Sequence, residues 1–214
     1  MPILRRSAKG PMPITSPLAV NVSTRALRHH AYASLASSRS LRVSISAMAV
    51  TITVNEQRQM VAVAPDTPLL YVLANDLALK GPRFGCGLAQ CGSCSVLVDG
   101  VETRSCVTPV ARVEGKRVTT LEGLAGYYAK LAKLEKAPAL HPLQQAVIDE
   151  QAAQCGYCYN GMIVKGAELL AKTPQPTEMQ IRTAMNGHLC RCGTYPRMLA
   201  AIERAAAAMA EARR

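Results

Sequence analysis

Eight cysteines in a chain of 214 residues, grouped four and four, constrain this protein more than any other feature of its sequence. The first group is Cys86, Cys91, Cys94 and Cys106, spaced C-x4-C-x2-C with the fourth cysteine twelve positions on. That spacing suits one [2Fe–2S] cluster, because two bridged irons need two thiolates each. A tight loop can bring three thiols around such a group while the fourth arrives from the next hairpin. Gly85, Gly87 and Gly92 allow the loop to wrap closely and turn its N–H groups towards sulfur, which stabilises the charge added on reduction. The second group pairs Cys155-x2-Cys158 with Cys190-x-Cys192. Both pairs fall just before expected helix starts, where unpaired N–H groups and the helix dipole favour an anionic thiolate site. Four thiolates from two short motifs make a second [2Fe–2S] site.

Two other uses of eight cysteines compete with this reading. Disulfides would need an exported protein, yet no apolar signal segment is evident and a C-x-C pair bridges poorly. Zinc is the stronger rival, since C-x2-C pairs are ordinary zinc ligands; against it, the first group puts three cysteines in one loop and the second uses C-x-C. His188, two positions before Cys190, raises Rieske-like ligation, but with four cysteines present it reads as a surface or supporting side chain. His29, His30 and His141 belong to no metal spacing.

The chain has 25 basic and 14 acidic side chains, a formal net charge of +11. Seven of the basic residues and none of the acidic ones lie in residues 1–48, together with nine serines. The rest of the chain is therefore only mildly basic, and the charge marks a leader instead of a binding face. Three readings of residues 1–48 stand open: a disordered extension, a targeting peptide with the Arg- and Ser-rich composition of organellar transit peptides, and upstream codons ahead of a true start at Met48. A secretory signal fits poorly, because Pro11, Pro13 and Pro17 interrupt the residues after Arg5-Arg6. No run approaches the roughly 18 apolar residues of a membrane span. Aromatics make up 4% of the residues, with no Trp, which argues against a nucleic-acid module that stacks bases on rings.

Local patterns give an α+β chain. Thr51–Val54 and Met60–Val63 read as a hairpin, with a helix after it: Asp66 or Thr67 as cap, Pro68 in the first position, and Leu69, Leu70, Leu73 and Leu77 on one face. Ser95–Val98 and Val101–Arg104 flank Asp99-Gly100, a pair suited to a two-residue hairpin turn, and Arg117–Thr120 adds a strand. Residues 123–142, rich in Gly, Pro and Lys, read as a connection. Beyond it four helices are expected: from Pro142, after Asn160-Gly161, from a capping box of Thr177 with Gln180 to a stop at Gly187, and from Pro196. The domains expected are therefore 49–122 and 143–210, joined by 123–142.

The segments Phe84-Gly85-Cys86-Gly87-Leu88-Ala89-Gln90-Cys91-Gly92-Ser93-Cys94, Arg104-Ser105-Cys106, Gln154-Cys155-Gly156-Tyr157-Cys158 and Leu189-Cys190-Arg191-Cys192-Gly193-Thr194-Tyr195-Pro196-Arg197 resemble the iron–sulfur subunit of the molybdenum hydroxylases, the xanthine oxidase family. The likeness spans about residues 50–207 and is strongest to small subunits of the isoquinoline 1-oxidoreductase and nicotinate hydroxylase type. It implies a β-grasp ferredoxin-like domain followed by a four-helix domain, each with one [2Fe–2S] cluster. It also implies a partner subunit that holds a molybdopterin dinucleotide and hydroxylates an N-heterocycle or aldehyde. The positions of Gln154 and Cys192 are those that contact the pterin in the family. Electrons would leave through the helical-domain cluster, then the ferredoxin-like one, for a flavin or cytochrome. Such clusters are assembled in the cytoplasm, and later export or organellar import is compatible with them. The departures are Tyr159-Asn160 after Cys158, His188 where Asn is usual, and Ser95 for a common Thr; none removes a ligand. A free-standing two-cluster ferredoxin and a zinc-binding structural protein are the alternatives.

Overall fold

The structure is a computed structural model and describes residues 49–212. The readings made for residues 1–48 fall outside the described residues. Strand β1, Ala49–Val54, alternates buried and outward side chains, with Val50, Ile52 and Val54 inside. It turns back as β2, Gln57–Ala62, through Asn55 and Glu56, whose φ angles of 49° and 69° match the twist of a two-residue hairpin. The second strand thus begins three residues earlier than its β-rich composition suggested, because the turn sets the register. Strands β3, Ser95–Val98, and β4, Val101–Arg104, are joined by Asp99-Gly100 as expected, and β5 is Arg117–Thr119. The sheet order is β2-β1-β5-β3-β4, with β1 and β5 parallel and the other neighbours antiparallel.

Helix α1, Leu69–Tyr71, runs into a π-helical turn over Val72–Asp76 and lays Leu69, Val72 and Leu73 on the valine face of the sheet. Pro68 is its cap residue, and neither Asp66 nor Thr67 caps it. The free amides of Leu69 and Leu70 donate instead to the carbonyls of Thr108 and Ser105, at 2.8 and 3.0 Å. The loop after β4 therefore caps this helix, an arrangement without a local sequence signal.

The helical part has its own core, built on Leu124, Leu143, Met162, Leu170, Ile181, Met198 and Ile202. It contains α2, Leu124–Ala132; α3, Pro142–Asp149; α4, Tyr159–Lys172; α5, Glu178–Met185; and α6, Tyr195–Glu211. The segment 123–142 is thus not merely a connection, since α2 places Leu124 and Tyr128 in that core. Its glycines and lysines hid the helix: Gly126 lowers the propensity, and tertiary packing outweighs the deficit. Helix α4 starts before Asn160 and Gly161, which lie in its first turn. The Thr177–Gln180 capping box forms, and Pro196 occupies the first turn of α6.

Helix α4 also covers the edge of the sheet. Glu168, buried, takes the lysines 165 and 172 on its two oxygens and accepts the backbone N–H of Glu102 on the edge strand β4. One backbone donor of the edge strand is thereby taken up.

His141 caps α3: its Nδ1 accepts from the Leu143 amide at 3.0 Å, and Gln144 reaches back to the His141 amide. The ring is buried edge-on to Tyr128, and burial depresses its pKa from 6.5 to about 4. The unfolded chain binds a proton at this position below pH 6.5 and the folded chain does not until about 4, so stability is full above this window and falls as pH drops through it. The depression corresponds to roughly 3 kcal/mol. Urea unfolding between pH 7 and 5 is expected to show a steeper loss of stability in the wild type than in His141→Asn, which keeps a capping side chain but cannot titrate. Equal slopes in the two proteins would disprove this role.

Candidate metal centres

The loop from Arg83 to Cys94 is closed at its base by the Arg83 amide on the Ser93 carbonyl, 3.0 Å. Within it Cys86 Sγ accepts from the amides of Leu88, Gln90 and Cys91 at 3.3–3.4 Å, and Cys91 Sγ accepts from the Cys86 amide at 3.4 Å. Gly87, Ala89 and Gly92 all have positive φ, which turns the amides inward. At Gly85 a Cβ would stand 2.6 Å from Cys91 Sγ, so only glycine lets the chain pass so close to sulfur. The amide bonds, led by that of Leu88, hold the Cys86 thiol down at about 7. Cys94 immediately precedes β3 and is buried, which pushes its thiol up to about 11, and it shares a side-chain hydrogen bond with Cys106 beyond β4. Ser105, next to Cys106, donates its hydroxyl to the Cys94 carbonyl at 2.6 Å and fixes the two strand ends together.

The second quartet is assembled from the start of α4 and the connection between α5 and α6. Cys158 is the residue that leads into α4. Cys155 and Cys192 sulfurs lie 3.5 Å apart, and Cys158 is hydrogen-bonded to Cys190. Burial, then Cys190, raises the Cys158 thiol to about 12. Burial also opposes ionisation of Cys190, but the Thr194 hydroxyl and amide outweigh it and bring that thiol to about 7. Tyr195 holds this connection in shape, accepting from the Cys190 amide at 2.8 Å and donating to the His188 carbonyl at 2.9 Å. Tyr159 bonds the Ala152 carbonyl and Thr194, tying the two halves of the site. Gln154 is exposed beside Cys155.

In both quartets the thiols meet as pairs: Cys86 with Cys91, Cys94 with Cys106, Cys155 with Cys192 and Cys158 with Cys190. Two pairs of thiols, with amides aimed at sulfur, fit a binuclear group in which each metal takes two thiolates.

The two quartets lie against each other through contacts that no local pattern announced. The Leu189 amide, next to Cys190, donates to the Cys91 carbonyl at 3.0 Å. Asn160 donates its amide to the carbonyls of Ser93 and Ser95, at 2.8 and 2.9 Å. Gly161 and Gly92 touch, so a Cβ at Gly161 would fall 2.1 Å from the Gly92 carbonyl oxygen. His188 is 2% exposed, which removes the surface alternative for it; its Nε2 lies 2.9 Å from Arg104 Nη1. Burial, and then the Arg104 charge, hold His188 neutral, with its pKa near 3. The 3.9 Å approach of its Nε2 to Glu102 is accordingly no ion pair. One signal for this contact was in the sequence: His188 and Asn160 both lie among the departures from the family pattern.

The family described as "2Fe-2S iron-sulfur cluster binding domain" matches residues 52–121, and that described as "[2Fe-2S] binding domain" matches residues 120–203. One component of the nicotinate dehydrogenase of Pseudomonas putida is 52% identical over 157 residues, which cover 73% of this chain and 94% of that one. The chain belongs to the iron–sulfur subunits of the molybdenum hydroxylase family. The alpha chain of isoquinoline 1-oxidoreductase from Brevundimonas diminuta is 49% identical over 67% of this protein and 88% of its own length. Quinoline 2-oxidoreductase from Pseudomonas putida 86 superposes on this iron–sulfur subunit with a TM-score of 0.68 at 32% identity, covering 78% of this chain and 98% of that one. The aldehyde oxidoreductase from Desulfovibrio gigas gives the same TM-score at 35% identity, over 77% of this protein and only 17% of that chain. Two [2Fe–2S]-binding domains thus stand in sequence in this iron–sulfur subunit, the first on the mixed sheet and the second on the helices.

Proposed function

We propose that this subunit is the electron-transfer element of a molybdenum-dependent hydroxylase or dehydrogenase. The observation that carries the reading is the pair of thiol quartets joined through the 3.0 Å hydrogen bond from Leu189 to Cys91. Cys86, Cys91, Cys94 and Cys106 hold one [2Fe–2S] cluster, and Cys155, Cys158, Cys190 and Cys192 the other. Bound there, the clusters supply two one-electron stations, helical site first, over which the electron pair from each substrate oxidation leaves a partner's molybdopterin dinucleotide for a flavin or cytochrome. The chain's own residues keep amides directed at the thiolates, exclude water from Cys94, and hold the two sites in register. Gln154 and Cys192, both on the outer side of the second site, face the pterin of the large partner subunit.

Hydroxylation itself belongs to that partner. Substrates in the class of N-heterocycles or aldehydes are supported by the relatives, whose names refer to nicotinate, isoquinoline, quinoline and aldehyde. We read the first domain, residues 49–122, as a β-grasp fold and the second, 143–210, as a four-helix domain to which α2 of the segment 123–142 adds a fifth helix on the same core. The clusters are loaded in the reducing cytoplasm. Among the described residues no helix is long and apolar enough to cross a membrane.

Metal analysis separates this reading from its rivals. Purified from its host, the protein is expected to be red-brown, to contain iron and little zinc, and to give two paramagnetic resonance signals when reduced with dithionite. It is expected to co-purify with a larger chain that contains molybdenum. Zinc in place of iron would make it a structural protein, and an iron-loaded chain that binds no molybdoprotein would make it a free-standing ferredoxin.

A further inference from the structure

We infer that Arg104, with Glu102 and His188, forms a charged joint between the two cysteine sites, fixing one against the other and setting the ease with which the clusters they hold are reduced. The inference rests on the electron-transfer reading above. Arg104 ends β4, two residues before Cys106. Its Nε donates at 3.2 Å to the Ala89 carbonyl, inside the loop between Cys86 and Cys91. Its Nη2 donates at 3.0 Å to the Gly187 carbonyl, three residues before Cys190, and its Nη1 meets Ser95, Glu102 and His188. One guanidinium therefore bonds both cysteine loops at once.

The hydrogen bond to His188 has a fixed sense. A guanidinium only donates, so His188 Nε2 accepts and the neutral ring carries its proton on Nδ1. That Nδ1 is buried with no partner. The ring is wedged between the touching backbones: a Cβ on Gly92 would stand 2.5 Å from its Cδ2, and one on Gly161 3.1 Å away. A side chain held in this slot while leaving a donor unpaired is there for position, and Arg104 is what aims it.

Charge gives the joint its second effect. The Arg104 and Glu102 side chains are 17% and 12% exposed, so their fields are weakly screened, and in the wild type they balance. The neighbouring Lys165, Glu168 and Lys172 of α4 form a separate set of ion pairs and contribute a constant background. Reduction adds one electron and one negative charge to each cluster. Removing the cation leaves the Glu102 carboxylate unbalanced beside Ser95 and His188 and makes reduction harder. Removing the carboxylate leaves the cation and makes it easier.

The experiment is a dithionite titration at pH 8 of the intact complex, followed by paramagnetic resonance, with iron content measured in every sample. In Arg104→Gln both midpoint potentials are expected to shift down, and in Glu102→Gln both up. Arg104→Lys, which keeps the charge but not the fork of donors, is expected to hold its midpoints near the wild type while the magnetic splitting between the two reduced clusters weakens. Shifts of opposite sign are not a result that a purely structural residue produces. Fully loaded Gln variants whose midpoints stay in place, or move the same way, overturn the joint. If Arg104→Gln fails to load its clusters, Glu102→Gln decides by the presence or absence of the upward shift. A wild type without two cluster signals overturns instead the function on which the joint rests.

Discussion

Cys158→Ser is expected to halve the iron of the protein, from about four to about two atoms per chain, and to erase one of its two resonance signals. Cys158 is one of four thiols at the helical site, where it is hydrogen-bonded to Cys190. A serine hydroxyl is a poor substitute for a thiolate towards iron. The fold is expected to survive, since Cys158 only leads into α4 and serine is well accepted at helix starts. The complex with the large subunit should therefore still be recovered intact, while its turnover with external electron acceptors drops to background. Undiminished turnover in that variant would remove the electron path from this chain altogether.

Gly161→Ala is expected to damage the protein far more than its size suggests. The added Cβ would fall 2.1 Å from the Gly92 carbonyl oxygen, and because the obstacle is backbone, no side-chain rotation relieves it. Either α4 or the loop with Cys91 and Cys94 must withdraw, breaking the bonds of Asn160 to Ser93 and Ser95. Overpacking of this kind costs about 3 kcal/mol. For a domain pair of this size that is a fall in Tm of roughly 6–12 °C. Gly126→Ala in α2 is the matched control: nothing lies within 4 Å of its Cβ position, and its φ is not in the left-handed region. There the gain in helix propensity is expected to stabilise by about 0.5–1 kcal/mol. Calorimetry of the two variants beside the wild type tests the argument, and a Gly161→Ala protein that melts with the wild type would refute the close contact.

Much of the fold could be read from residues close together in the chain. Asp99-Gly100 announced its hairpin, and Thr177 with Gln180 announced the start of α5, because each is an interaction within two to four residues. The grouping of the eight cysteines is legible for the same reason, since each spacing is itself local. The misreadings share the opposite cause. Helix α2 was hidden by Gly126 and by lysines, and only the burial of Leu124 and Tyr128 against distant helices makes it helical. The turn-like dipeptide Asn160-Gly161 predicts a start of α4 after it. Those two residues are instead where the helix meets the carbonyls of Gly92, Ser93 and Ser95, more than sixty positions earlier in the chain.

The sequence by itself determined the spacing of the eight cysteines, how they divide four and four, and most of the elements on which each set is mounted. Only the tertiary structure decided how the two sets stand to one another. The contacts that do so join residues 65, 67 and 84 positions apart, among them Asn160 with Ser93 and Ser95, and His188 with Arg104. Such pairs leave no periodicity and no spacing in the chain, because their partners are brought together by the packing of α4 on the sheet and not by the geometry of any single helix, strand or turn.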